Sequence, residues 1–371
     1  MSKINNIFCT GTMRTGGSLV ANLLSTNKEL IMLTDVVHFF RYIYKRYDPI
    51  QNNKNIFRVC RDLCLRLKYR DNISLNSEKI YKECLENKTK SYGKIYKVIF
   101  SHFLKRINNK KIIAEYANFE WHNIDNFLKF NKNNVAIHVI RDPRAVLASW
   151  KQITFSKGFK YLNCIFNWTD SASTYLKLKK KYNKKRYLLI QFENIHNSPK
   201  KQSKLLCSFL KIKFQNRMLA TSKWNEYLKG DFNFVNQSAY ENKKKIYGFS
   251  KKRNNNWEKN LKDWELNLVN YLCKRYLKNL GYSHKITINK KLLKKGFSIL
   301  NNDKFLKKRF REFKKNKKGN HMMLNDPTNP INWESRIYPG KKFINTKEYI
   351  LYKKEEKRLN SLFERKYYEK K

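Results

Sequence analysis

Thr10-Gly11-Thr12-Met13-Arg14-Thr15-Gly16-Gly17-Ser18-Leu19 joins a short apolar run to a segment with helical periodicity. The run, Ile4 to Thr10, has Ile7, Phe8 and Cys9 at its apolar centre and reads as a strand. Beyond the glycines, Leu19, Val20, Leu23 and Leu24 recur at helical spacing, so a helix is expected from Ser18. In a glycine-bearing turn of this kind backbone N–H groups point inward, and the helix N-terminus behind them carries about half a positive charge. Such a turn binds anions. Gly11, Gly16 and Gly17 permit close approach, Thr15 and Ser18 offer hydroxyls, and Arg14 adds a full charge. The stretch lacks the Gly-Lys-Ser/Thr ending of an ATP-binding Walker loop, which argues against a magnesium-dependent nucleoside-triphosphate enzyme. Taken alone, it is equally compatible with a tight strand–helix turn.

A second stretch changes that balance. Asn134 to Ile140 has the near-continuous apolar character of a strand covered on both faces. Arg141 follows at its carboxyl end, the edge where open α/β sheets bind ligands. Asp142-Pro143 then reads as an N-cap followed by proline at the first helical position. Ser149 lies two turns along the helix carrying Val146, Leu147 and Trp150, which lets it share a second phosphate with Arg141.

Working outward, Lys111 to Tyr116 and Tyr187 to Phe192 read as further strands, and residues 36–110 as mainly helical and basic. Ser198-Pro199 opens a helix, and Trp257 to Leu280 reads as a long one ended by Gly281. Strands alternating with helices predict an α/β fold: a parallel sheet of about four to five strands flanked by helices. The composition shifts near Ser283. Residues 1–283 are therefore expected to form the α/β domain, and 284–371 a Lys-rich, mainly helical C-terminal extension. Within that extension, Lys290 to Lys318 could lie apolar side down on an anionic membrane, line an acceptor channel, or pack on the core with its lysines in water.

The 81 Lys+Arg against 29 Asp+Glu give a net charge of +52, a field that favours nucleotides, acidic glycans, anionic lipid head groups or nucleic acid without choosing among them. The seven cysteines are odd in number and lack zinc-site spacing, so buried free thiols are expected. The chain has no run of apolar residues long enough to span a bilayer and no secretory h-region near Met1, so a cytoplasmic, at most membrane-peripheral, location is expected.

Together the two anion-site stretches resemble the donor-binding motifs of sulfotransferases that use 3′-phosphoadenosine 5′-phosphosulfate (PAPS). Arg14-Thr15-Gly16-Gly17-Ser18-Leu19 resembles the family's Arg/Lys-Ser-Gly-Thr-Thr-Leu loop, which grips the 5′-phosphosulfate. Arg141 and Ser149, with Asp142-Pro143-Arg144 between them, resemble its Arg-(seven residues)-Ser element for the 3′-phosphate. Phe192-Glu193-Asn194-Ile195 before Ser198-Pro199 is similar to its Tyr-Glu-Asp-Leu stretch. The resemblance covers roughly residues 4–283 and implies a P-loop NTPase-like fold, a PAPS donor, no metal, and a hydroxyl acceptor such as a glycan or lipid head group. It departs at Gly17, which stands where the family has Thr. It also departs near Trp257, where Arg253 or Lys252 is the cation that would close over the donor.

Sulfuryl transfer needs an in-line acceptor, removal of its proton and stabilisation of negative charge on the leaving phosphate. Arg14 and the loop amides fit the charge role. For the base, Asp35 in Leu33-Thr34-Asp35-Val36-Val37-His38 comes first, because tyrosyl-protein-type members carry a Glu at the matching offset; His38 comes second, and Glu115 and His122 follow. The bland alternatives are a helix N-cap for Asp35 and a packed imidazole for His38. Rival classes are a basic polyanion- or nucleic-acid-binding protein, a non-catalytic family member and a P-loop kinase. No sequence-specific nucleic-acid signature is present.

Overall fold

Every residue of Val135–Ile140 is buried, as is every residue after the first in Asn6–Gly11 and Ile112–Asn118. Strands shielded this fully need helices over both faces, which parallel pairing with helical crossovers provides. The computed structural model describes residues 4–34, 37–45, 47–71, 73–106, 112–153, 158–224, 248–251, 254–282, 286 and 288–319. Within them β1 (Asn6–Gly11), β2 (Leu30–Thr34), β3 (Ile112–Asn118), β4 (Val135–Ile140) and β5 (Tyr187–Gln191) form one parallel sheet in the order β2-β3-β1-β4-β5.

Helix α1 (Gly17–Ser25) follows β1. Between β2 and β3 run α2 (Phe39–Tyr42), α3 (Asn53–Asp71), α4 (Ser77–Glu86) and α5 (Tyr92–Arg106). Then come α6 (Ile124–Phe130), α7 (Pro143–Ile153), α8 (Asn163–Lys181), α9 (Phe192–Asn197), α10 (Pro199–Leu210), α11 (Asp263–Asn279), α12 (Lys290–Asn302) and α13 (Lys304–Asn316). Alternate strand residues feed opposite cores. Phe8, Ile31, Leu33 and Ile113 join Phe57, Leu63, Ile80, Ile95 and Phe127 from α3 to α6. Ile7, Cys9, Met32 and Ile137 join Val20, Leu23 and Leu24 of α1 and Leu206 and Leu210 of α10.

The helical span before β3 and the α/β class follow the sequence reading, with two differences. Leu30–Thr34 was not expected as a strand; it fills the edge position beside β3. The long helix begins at Asp263 and not at Trp257, because a separate 3-10 turn, Asn256–Lys259, precedes it and Glu265 bonds back to the Lys262 amide to cap the new start. Helices α12 and α13 share a third core with α7, α8 and α11: Leu300, Leu306, Phe310 and Phe313 pack with Leu147, Trp168 and Leu268. Phe166 of α8 stacks on Phe310 and Phe313, at 5.8 and 4.9 Å between ring centroids. Their apolar sides are thus buried, while Lys290, Lys291, Lys294, Lys295, Lys307, Lys308, Lys314 and Lys315 face solvent. All seven cysteines are buried and free. No helix among the described residues is long and apolar enough to cross a membrane.

His138 lies fully buried in β4, with Tyr187 Oη 2.7 Å from Nδ1 and Ser171 Oγ 2.7 Å from Nε2. A neutral imidazole has one donor and one acceptor, so two hydroxyls satisfy it. Burial lowers its pKa from 6.5 to about 3. Between those values the unfolded chain takes up a proton that the folded chain refuses, so stability falls as pH drops below 6.5 and His138 contributes no slope above it. Relative to His138→Gln, the wild type should lose up to about 1.4 kcal/mol per pH unit in this window. Urea melts across that pH range read the difference; parallel profiles would contradict the assignment.

Candidate anion-binding site at the carboxyl edge of the sheet

Gly11 of β1 is paired with Val139 of β4, so the turns after these strands leave the same edge side by side. The strand order also reverses here. From β1 the chain passes to β2 and β3 on one side, then to β4 on the other. Open α/β sheets bind ligands in such a crevice.

The first turn is shaped by two left-handed residues, Arg14 (φ 72°) and Gly16 (φ 92°), the latter capping α1. The Thr15 amide and hydroxyl both donate to the Thr12 carbonyl oxygen, at 3.4 and 2.6 Å, which closes the turn on itself. The Thr15 hydroxyl, expected as a ligand donor, is therefore engaged within the loop. The α1 N-terminus has no acidic residue in its first turn and no side-chain cap. The amides of Gly17, Ser18 and Leu19 therefore have no partner within the helix. Leu19 packs its side chain against the core on the α1 side of the sheet. The Thr12 hydroxyl, in the same loop, is buried with no protein hydrogen-bond partner; it is a polar atom that an anion would satisfy.

Two rings press on the glycines. A Cβ on Gly16 would fall 2.3 Å from Phe192 Cδ2, and one on Gly17 would fall 2.2 Å from Tyr116 Oη. A side chain at either position would force the facing ring to shift, and Gly16 also needs its left-handed conformation.

The second turn comes up against the first. Arg14 Nε donates to Ser149 Oγ at 2.8 Å, and Arg141 Nη1 donates to the Arg14 carbonyl oxygen at 3.3 Å. The Arg141 guanidinium lies over the Phe192 ring, 4.1 Å from its centroid. Glu193, at the start of α9, accepts from the Asp142 amide at 2.9 Å and the Tyr282 hydroxyl at 2.8 Å. Burial raises its carboxyl pKa, with these hydrogen bonds pulling the other way. Arg141, Ser149 and Arg14 thus form one contiguous cationic rim.

Arg144 does something else. It is fully buried, clasps Asp142 through Nε and Nη2 at 2.9 and 2.6 Å, donates to the Tyr282 carbonyl oxygen at 3.1 Å and lies 4.4 Å from the Trp257 ring centroid. Asp142 in turn accepts from the Arg144 amide at 2.9 Å, capping α7. The second arginine of the motif ties the β4 exit to the chain after α11.

Of the base candidates, Asp35 lies outside the described residues, as do Arg253 and Lys252. His38 is buried, left-handed (φ 44°), with Nδ1 3.4 Å from Glu120 Oε1. Glu120 also accepts from Asn123 at 2.9 Å, and its amide donates to Thr10 Oγ1 at 3.2 Å, which ties it to the end of β1. Glu115 is buried in mid-strand, paired with Phe8 and Leu33 and 3.5 Å from the Tyr96 hydroxyl, so it does not reach the strand edge. His122 is exposed beside Trp121. The roles of Thr12, Tyr116, Phe192 and Glu120 went unread in the sequence. Phe192 and Glu193 belong to the stretch that resembles the family's Tyr-Glu-Asp-Leu, but nothing local marks Tyr116 or Glu120.

A parallel α/β sheet with two cationic turns converging on a helix N-terminus is an arrangement suited to an anion. The chain matches the sulfotransferase family over residues 6–216, more than half its length, and belongs to that family, whose reaction class is sulfuryl transfer. Similar solved structures include the sulfotransferase domain of the Synechococcus PCC 7002 olefin synthase, at 16% identity and TM-score 0.49, covering 76% of this chain and 97% of that one. The sulfotransferase domain from the curacin biosynthetic pathway gives 16% and 0.48 over 76% and 99%. Mouse sulfotransferase SULT7A1, complexed with PAP, gives 13% and 0.39 over 75% and 86%. Among curated protein sequences none matches.

Removing one partner of a buried ion pair costs about 3–5 kcal/mol. Arg144→Ala should lose stability of that order in denaturant melts, whereas Arg141→Ala, whose part-buried guanidinium donates to the Arg14 carbonyl oxygen and lies over Phe192, should lose less, about 1 kcal/mol. Equal losses would contradict the division of labour.

Proposed function

We propose that the chain moves a sulfuryl group from PAPS to a hydroxyl acceptor. The observation that carries this is the 2.8 Å hydrogen bond from Arg14 to Ser149, which joins the two motifs that resemble the two ends of the donor site. The residues fit such a group: a helix N-terminus without a cap, a buried unpartnered Thr12 hydroxyl and two arginines on one rim. Gly17, Ser18 and Leu19 amides, the Ser18 hydroxyl and Arg14 would hold the 5′-phosphosulfate; Arg141 and Ser149 would hold the 3′-phosphate. PAPS, when bound, supplies the electrophilic sulfur and a phosphate leaving group.

Arg14 and the loop amides stabilise the charge that develops on that phosphate, an effect worth on the order of 10²–10³ in rate for one donor. Asp35, directly past β2, or His38, near Glu120, takes the acceptor proton. Arg253 or Lys252 would supply the cation that closes over the donor. The acceptor presents a hydroxyl beside negative charge, as an acidic glycan or lipid head group does; the lysine rows of α12 and α13 and the +52 net charge support that class. The same charge supports non-specific polyanion binding as a second reading. A kinase reading has no lysine at the end of the loop to support it.

PAP (3′-phosphoadenosine 5′-phosphate) should raise the melting temperature and ATP with magnesium should not. Arg14→Ala and Arg141→Ala should each lose on the order of 10–100-fold in PAP affinity, as expected for a charge-assisted contact. Asp35→Ala or His38→Ala should keep PAP affinity and lower turnover, read as mass gain of one sulfuryl group across an acceptor panel. Wild-type PAP affinity in the Arg141 variant would contradict the proposal. Salt-resistant binding of one nucleic acid without any PAP effect would favour the polyanion reading.

A further inference from the structure

Gly17 breaks the donor-loop pattern by removing a hydroxyl, and the structure shows what fills the gap. A Cβ placed on Gly17 would meet Tyr116 at Oη, Cε2 and Cζ, 2.2, 2.3 and 2.4 Å away. The tip of the phenol therefore occupies the volume that a Thr side chain would take. Tyr116 comes from β3, between Cys9 of β1 and Thr34 of β2, and is 2% exposed. Its hydroxyl bonds to Asn118 two residues on, on the same strand. The ring is confined there, and its phenol oxygen lies beside the first turn of α1, which has no side-chain cap. In the same loop the buried Thr12 hydroxyl has no protein partner, an independent sign that this space takes a polar ligand.

We propose that Tyr116 is a donor-binding residue whose phenol supplies to the 5′-phosphosulfate the hydroxyl that Gly17 lacks, with Asn118 aiming it. This rests on the PAPS reading given above. On binding, the phenolic proton turns to the anion, and Asn118, whose side chain has a donor and an acceptor end, donates its amide to the phenol oxygen instead of accepting from it. Gly17 and Tyr116 are then two halves of one exchange: the loop gives up a side chain and the neighbouring strand returns its hydroxyl from across the sheet. A Thr at 17 would force Tyr116 to shift.

Tyr116→Phe keeps the ring and deletes only the hydroxyl. It should bind PAP on the order of 10-fold more weakly, as for loss of a hydrogen bond to a charged group. It should bind adenosine 3′-monophosphate, which has no 5′-phosphate, as the wild type does. Gly17→Thr alone should lose PAP binding through the clash, and Gly17→Thr with Tyr116→Ala should regain most of it. Unchanged PAP affinity in Tyr116→Phe, equal losses for both nucleotides, or a double variant no better than Gly17→Thr would overturn the proposal while the PAPS reading stands. A wild type that binds neither nucleotide would instead overturn the PAPS reading and this inference with it.

Discussion

The site depends on β1 and β4 being neighbours. Parallel pairing of Gly11 with Val139 brings together two turns far apart in sequence, and the Arg14–Ser149 hydrogen bond spans 135 residues to join them. Three positive contributions then converge on one crevice: Arg14, Arg141 and the partial charge of the α1 N-terminus. Bringing like charges together is unfavourable in an empty pocket and favourable once an anion sits between them. A polyanion would relieve that repulsion, which is the physical basis of the function proposed above.

That support comes from neutral or self-satisfied groups packed behind the rim. Phe192 packs against Gly16 and Tyr116 against Gly17, filling the space where side chains would stand. Glu193 fixes the Asp142 amide, and Arg144 clasps the Asp142 carboxylate while reaching the carbonyl of Tyr282. Each of these groups has its partners within the protein, whereas the amides of the first turn of α1 have none within their helix. The division separates groups that shape the site from groups that the proposed donor would meet.

The fold was legible where local pattern and burial coincide. Val135–Ile140 is apolar apart from His138 because helices cover both its faces, and Asp142-Pro143 starts a helix because aspartate caps and proline opens it. Leu30–Thr34, four apolar residues and a threonine soon after a helix, carries no period of its own; the edge of β3 makes it a strand. Trp257 looked helical from spacing alone, but the Glu265 bond to the Lys262 amide sets the start later. In the site, Arg14, Arg141 and Ser149 could be named from motif spacing. Tyr116 could not, because its part comes from contact with Gly17 across the sheet, and sequence separation hides such contacts. The same holds for Glu120, which meets His38 only after the strands have paired.

A crystal structure with PAP bound tests the central claim most directly. The account predicts the 5′-phosphate within hydrogen-bond distance of the Gly17–Leu19 amides and the 3′-phosphate on Arg141, in the crevice between β1 and β4. Nucleotide density on the lysine faces of α12 and α13, with that crevice holding only water, would contradict it.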